Sequence, residues 1–424
     1  VFRALIERFR SHSSLHWALS DQAVVSASNF LTSVIVARMV GIEEFGRFMI
    51  AWIVILLFKD LQTSLLEPTM MSIGPKQNRE DLPKYYGAVF AQQSVFTGAS
   101  FLVVLIGMAA SSGFFPDLNL WELMVPLAAA VFADELQDFM RRYFYTNNRH
   151  VAAFFNDFIS YISRLIILFL LWQYHPVLSA EILWVLFACS IVPAAIGMFM
   201  LDRFQINRAW LAAIAQRHWA VSRWTVGTSI LRWLSGNLIV LMGGALLGAQ
   251  AIGAVRAAMN ILAPRNVLIN GLTNIVIVKG STILHHDGTR DLRRYLAKIG
   301  VFMTTFDVCI ALIAVIFAEE IMFYVYGPEF VPYTYLIYWL AAINVVQITV
   351  FPFGAGLKIF EYTKPYFVSA VLEAVFGILA SYFLVLYFDL HGVMIGLAVT
   401  IVIMMLCIVG PCLKRLNAAQ PAVP

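Results

Sequence analysis

The sequence predicts an all-α polytopic membrane protein of twelve transmembrane helices, and three observations carry that prediction. Only 13% of its 424 residues are charged while 61% are hydrophobic, where a soluble domain carries about a quarter charged residues. A chain this long with so little charge cannot cover a water-facing surface, so its solvent is lipid. Twelve mostly apolar stretches match the ~20 residues that a helix needs to cross a bilayer. The basic residues gather in alternate connections between those stretches.

The elements follow in order. Phe2, Leu5, Ile6 and Phe9 recur at helical spacing with Arg3, Arg8 and Arg10 elsewhere, so residues 1–17 are expected to lie as an amphipathic cytoplasmic segment on the membrane surface. The segment has no apolar core before a small-residue cleavage site, as a signal peptide would. Six spans are expected near 18–40, 45–66, 86–112, 121–144, 151–173 and 180–202, making a first lobe over 18–203. A cytoplasmic linker, 204–223, precedes six more near 224–247, 251–278, 296–318, 333–357, 366–388 and 392–413. These make a second lobe over 224–413, followed by a cytoplasmic tail, 414–424.

Orientation comes from lysine and arginine. Of the 29 basic residues, 22 fall in the terminal segments and the connections of one side, while the opposite connections near 113–120, 173–180, 248–250, 319–332 and 389–391 hold none. Positive charge stays inside, which places both termini in the cytoplasm.

Two short stretches interrupt the apolar pattern in the same way. VARMVGIEEFGRF (36–48) carries glycines at 41 and 46, and GGALLGAQAIGAVR (243–256) carries glycines at 248 and 253, an offset of 207 residues. The same offset carries span 1 onto 7, 3 onto 9 and 6 onto 12. Two glycine-fenced outward hairpins, one per lobe, are therefore expected. Six spans per repeat give lobes of like orientation, a parallel-repeat transporter architecture with its substrate site at the repeat interface.

SDQAVVSASNFLTSVIVARMVGIEEFGRF (20–48) followed by LQTSLLEP (61–68), then YGPEFVPYTYLIYWLA (326–341) and HGVMIGLAVT (391–400), resemble Wzx-type polysaccharide flippases. These belong to the multidrug/oligosaccharidyl-lipid/polysaccharide exporter superfamily. The resemblance extends over about residues 17–415. It implies a two-lobed, V-shaped bundle in the bacterial inner membrane. Its substrate would be an undecaprenyl-diphosphate-linked oligosaccharide, moved between leaflets by alternating access for surface polysaccharide export. It also implies a cationic cavity, membrane lipid as surroundings, polysaccharide polymerase and chain-length proteins as partners, and a proton or sodium gradient as the coupling ion source.

Seven basic residues lie outside the cytoplasmic connections: Arg38, Arg47, Lys59, Arg164, Arg232, Arg256 and Arg265. A charge near the bilayer centre costs about 2.5–3.5 kcal/mol, so such groups face protein rather than lipid. Arg38 and Arg47 sit near the first hairpin, close enough to snorkel to the interface. Arg265 follows Pro264, where a kink would free carbonyls for it to bond. Arg232 belongs to a polar stripe with Thr225, Ser229 and Gly236; Arg256 belongs to another with Asn260, Asn270 and Asn274. Span 1 offers Gln22, Ser26, Asn29 and Ser33 at the same stepping. Such stripes either glue lobes together or line a polar cavity. Guanidinium groups match phosphate oxygens bidentately, so Arg232, Arg256, Lys59, Asn260 and Asn29 are the candidate diphosphate and cavity residues. Asp134 and Asp138 on span 4, with Asp157 and Arg164 on span 5, suit a polar network inside the first lobe. Asp307 and Glu373 have no base along their own helices and are the ion-coupling candidates.

Cys189, Cys309, Cys407 and Cys412 fall inside apolar runs as small packing residues. No nucleotide-binding glycine loop, nucleophile elbow or metal-ligand spacing appears, which argues against an enzyme, a cofactor or a nucleic-acid partner. Two rival readings remain: an ion-coupled small-molecule antiporter, which would favour an acidic or apolar cavity, and a membrane-embedded polysaccharide polymerase or ligase, which would carry a sizeable outward loop.

Overall fold

The computed structural model describes residues 2–174 and 176–418. Every regular element among them is helical. Lipid offers no partner for an open backbone N–H or C=O, and a helix satisfies both within itself. The chain divides into two compact units, Val1–Ile230 and Leu231–Pro424.

In the first unit α1 (Phe2–Leu65), α2 (Glu67–Ile73), α3 (Leu82–Phe114), α4 (Met124–Thr146), α5 (His150–Tyr174) and α6 (Ser179–Phe199) follow one another, and α7 (Arg208–Leu247) begins. Helix α1 takes in the first two expected spans and packs on α4, α5 and α6, while α3 and α6 pack on α4. Ala128, Ala129, Ala130 and Ala133 on α4 are all buried. Small side chains there let neighbouring backbones close in, which is how helices associate without a hydrophobic drive.

The second unit continues with α8 (Ala249–Ile261), α9 (Pro264–His286), α10 (Gly288–Ile316), α11 (Ala318–Ile321), α12 (Tyr335–Ile359) and α13 (Lys364–Asn417). Helix α12 packs against α8, α9, α10 and α13. Leu292, Leu296, Leu357, Ile408 and Cys412 form the core at one end of it, so Cys412 is the packing residue its sequence setting suggests. Helix α13 breaks at Asp389 (φ 50°, ψ −134°) and carries the last two expected spans on either side.

Among the described residues seven helices are long and apolar enough to cross a membrane: α3, α5, α6, α7, α10, α12 and α13. The chain is a multi-pass membrane protein. Helix α4, with three acids and two arginines from Asp134 to Arg142, is too charged to qualify by apolarity. The amphipathic reading of residues 1–15 and the tail beyond residue 418 lie outside the described side chains and residues.

Three sequence expectations need correction. The hairpins turn at one glycine each, not two: Gly41 has φ 76° and ψ 176°, its repeat mate Gly248 has φ 91° and ψ 170°, and Gly46 and Gly253 are helical. That region of backbone is essentially glycine's alone, so one residue per repeat suffices for the bend. Arg47 does not snorkel: it is buried, ion-pairs with Glu44, and donates to Glu122 (2.8 Å) and to the Asn119 carbonyl (2.8 Å). Glu44 in turn accepts from the Ser179 amide (3.0 Å) and hydroxyl (2.6 Å) at the start of α6. Finally, the eighth span is interrupted at Leu262 and Ala263, between α8 and α9, because proline cannot extend a helix from its N-terminal side. The stripe from Arg256 to Asn274 therefore does not run along one helix, and the side chains of Asn270 and Asn274 lie outside those described.

Candidate functional site

The first unit holds a buried charge network built on α4. Its acids and arginines recur at three- and four-residue steps, which puts Asp134, Gln137, Asp138 and Arg141 on one face. Arg141 pairs with Asp21 of α1 (2.7 Å) and Asp157 of α5 (2.8 Å), both fully buried. Asp157 also accepts from Gln137 (2.6 Å), and Asp21 from the Tyr145 hydroxyl (2.7 Å). Lys59 lies 3.1 Å from Asp134 and 3.9 Å from Asp138, and Arg142 also reaches Asp138 (3.3 Å). Asp134, Asp138 and Asp157 thus share one intra-unit network, held by Arg141 and joined by Lys59. Arg164 instead sits 5.0 Å over the ring of Tyr161. Every cation in the network has an acid partner, so Lys59, expected to serve an anionic ligand, is already neutralised. Asn29 of α1 has a buried side-chain oxygen with no hydrogen-bond partner.

The second unit is arranged differently. A cavity of about 290 Å³ opens among α9, α12 and α13, with Arg265, Gln347, Lys358 and Tyr366 as its principal polar lining. Arg265 is 7% exposed, and its partners lie on α10 and α12 rather than at its own kink. It reaches Asp307 of α10 through both carboxylate oxygens (3.3 Å each), the Asn344 carbonyl of α12 (3.1 Å) and the Gln347 side chain. Asp307, taken from sequence to lack a base, finds one 42 residues away.

Lys358, one of the 22 basic residues that the sequence places in the terminal segments and cytoplasmic connections, is the last-turn base of α12 and lines this cavity. Its ammonium lies 5.6 Å over the Tyr366 ring. Among the described residues no carboxylate stands within salt-bridge distance of Lys358 or of Arg232. Arg232 of α7 acts electrostatically on Lys358, Tyr366 and Glu373. Glu373 accepts from Ser369 and lies against Ser235. Arg232 does not line the cavity, and Glu373 offsets part of its charge, but it repels Lys358, which does line it, and an anion placed between the two cations relieves that repulsion. Arg256 does not line the cavity; it donates to Asn237, and its Nε is buried without a partner. Asn260, one turn further along α8, does not line it either. Sequence reasoning missed Lys358, Tyr366 and Gln347, and the signal available was the 347–366 stretch placing two polar residues and a base around a proline-containing helix end.

The model of a family described as polysaccharide biosynthesis protein matches residues 35–334, well over half of the chain. The chain belongs to the polysaccharide biosynthesis protein family. The fold has counterparts among solved structures. One is the lipid II flippase MurJ in an inward closed conformation, with TM-score 0.74 and 13% identity, covering 94% of this chain and 87% of that one. A multidrug resistance MATE family transporter of the MOP superfamily, inward-facing, matches with TM-score 0.69 and 14% identity over 92% of this chain and 94% of that one. A MOP superfamily transporter from Pyrococcus furiosus, described by the reversed polarity of its binding pocket, matches with TM-score 0.60 and 12% identity over 96% and 94%. No curated protein matches the chain by sequence. At these identities the structural likeness establishes the fold alone, one shared with the flippase and transporters just named, and the family match places the chain in polysaccharide biosynthesis.

Proposed function

We propose that this chain is a flippase that moves undecaprenyl-diphosphate-linked oligosaccharide between the leaflets of the bacterial inner membrane, with both termini in the cytoplasm. The observation that supports the reading best is the cavity of the second unit, where Lys358 lines the wall without a salt-bridge partner among the described residues, Arg232 lies outside the lining but within electrostatic reach of it, and Arg265 adds a compensated third charge. A diphosphate is a dense anion, and one arginine fork plus one lysine point charge suit its oxygens. A multidrug antiporter handling cations would not keep an unpaired lysine and an arginine in its cavity wall. Arg256, half-buried with an amide as its partner, is a second cationic position on the path. Glu373, hydrogen-bonded but not in a salt bridge, is the group through which a proton or sodium gradient would act, while Asp307, ion-paired to Arg265, is read as a structural acid.

The binding step is tested with undecaprenyl diphosphate and inorganic diphosphate on purified protein. Both are expected to bind, and Arg232→Ala and Lys358→Ala each weaken binding by about tenfold, the ratio that about 1.4 kcal/mol of lost interaction gives. Unchanged affinity in both variants would remove the cavity from the account.

A further inference from the structure

A second cavity, about 330 Å³, lies in the same unit at the other end of α12, and the diphosphate reading leaves it unused. It is lined by Leu247, Gln250, Tyr333, Tyr335, Asp389 and His391 among others. Three bends of the chain meet there: the glycine turn at 248, the start of α12, and the break of α13 at Asp389. None of its connections carries a basic residue.

The lining is unlike that of the cationic cavity. The His391 and Tyr335 rings are stacked, with centroids 4.9 Å apart and planes 14° from parallel, and Trp339 meets His391 edge-on at 6.4 Å. That wall is flat, aromatic and stiffened from behind. Around it stand an amide (Gln250), a carboxylate (Asp389), two phenol hydroxyls and an imidazole. None of these side chains is engaged in a hydrogen bond or ion pair with the described residues. Gln250, Asp389 and His391 are exposed and Tyr333 and Tyr335 half-buried, so these groups are open to a ligand or to water. Asp389 also holds a backbone conformation that costs a non-glycine residue about 1–3 kcal/mol, a kind of strain that clusters at ligand clamps. Glycine would hold the same bend without cost, so the carboxylate is what the strain keeps in place.

From this lining we infer that the second cavity is a carbohydrate subsite, taking one neutral sugar residue of the lipid-linked glycan. A pyranose has one apolar C–H face, which packs on an aromatic ring, and a rim of hydroxyls. Each hydroxyl donates and accepts, which suits a carboxylate and an amide side by side. The cavity volume lies at the small end of ligand pockets, the size for a single ring rather than a chain. A diphosphate is disfavoured, because no lysine or arginine stands in the lining and Asp389 repels it. The two cavities then divide one substrate by chemistry: the anionic linkage at the cationic end of α12, and a sugar at the aromatic end. The sugar subsite rests on the flippase reading for the identity of its ligand, but on its own lining for the ligand's class.

The test uses full-length protein in liposomes with two lipids: the lipid-linked repeat unit extracted from cells expressing the protein, and undecaprenyl diphosphate bearing no sugar. Carbodiimide-driven amidation of Asp389 is read by mass spectrometry. With the glycosylated lipid at about four times its dissociation constant, labelling is expected to fall about fivefold, following 1 + [L]/Kd; the bare lipid should not protect. Equal labelling with both lipids overturns the subsite. Asp389→Gly gives the second readout: it relieves the backbone, so the protein should melt higher while exchanging the glycosylated lipid more slowly. A variant that is more stable and equally fast overturns the subsite as well. Leaflet exchange without Asp389 protection ends the subsite and leaves the flippase standing. Protection without exchange does the reverse.

Discussion

Replacing Asp307 by asparagine separates a structural acid from a coupling acid. Arg265 and Asp307 are 7% and 3% exposed, and the guanidinium meets both carboxylate oxygens at 3.3 Å. Removing one partner of a buried ion pair leaves an uncompensated charge and costs about 3–5 kcal/mol. Asparagine keeps one acceptor oxygen, and Arg265 retains the Asn344 carbonyl and Gln347, so the low end, about 3 kcal/mol, applies. At roughly 2–4 °C per kcal/mol for a unit of this size, the midpoint should fall by about 6–12 °C. The paired replacement Arg265→Met with Asp307→Leu removes both charges and should recover most of that loss, as apolar replacements of buried pairs do. The assay is thermal unfolding in detergent beside gradient-driven transport in liposomes. An Asp307→Asn protein that melts like the wild type while losing its response to the gradient would refute the structural reading and make Asp307 a coupling residue.

Glu373 has hydroxyl neighbours and no salt bridge, so Glu373→Gln should keep the melting midpoint and flatten the dependence of transport on a proton or sodium gradient; an unchanged dependence removes it from coupling. Gly248→Ala meets no neighbouring atom, so its cost is backbone alone, about 1–3 kcal/mol, and thermal unfolding should show it. The Arg256 charge is half-buried against one amide, so Arg256→Ala should lower transport more than Arg256→Lys while both stay folded; poorly folded alanine protein would make it a packing element. Burial pushes the Glu44 carboxyl up, but the Ser179 hydroxyl and amide and the Arg47 guanidinium outweigh burial and hold it below its usual 4.5. A lowered folded-state value means stability present above pH 4.5 and lost as pH falls through the folded value. Glu44→Gln should therefore melt lower than wild type at pH 7, with the gap closing in acid below pH 4.5.

The fold was legible in the sequence wherever one residue type decides the outcome. A 13% charge content forces lipid as solvent, and the 207-residue offset finds the two glycines that share one unusual backbone conformation, Gly41 and Gly248. The polar network of the first unit was readable because α4 carries its acids and arginines at helical steps. The site was less so, because its pairings are long-range. Arg265 meets a partner 42 residues away on another helix, and helical spacing says nothing about that. Lys358 was read as a loop charge because it sits at a helix end, where hydropathy cannot tell a solvated base from one that lines a cavity. The aromatic cavity escaped for a similar reason: Gln250, Tyr333 and Asp389 lie in three short connections that look unremarkable until the fold brings them together.

Leaflet exchange in liposomes tests the account most directly. Purified protein is reconstituted with a fluorescently tagged undecaprenyl-diphosphate-linked oligosaccharide, and the fraction reachable from outside is followed with and without proton and sodium gradients. Protein-dependent exchange that Arg232→Ala or Lys358→Ala slows, at unchanged thermal stability, is the predicted result. Exchange no faster than in protein-free liposomes, or equal exchange in both variants, would contradict the claim that this chain carries an anionic lipid-linked glycan through its cationic cavity.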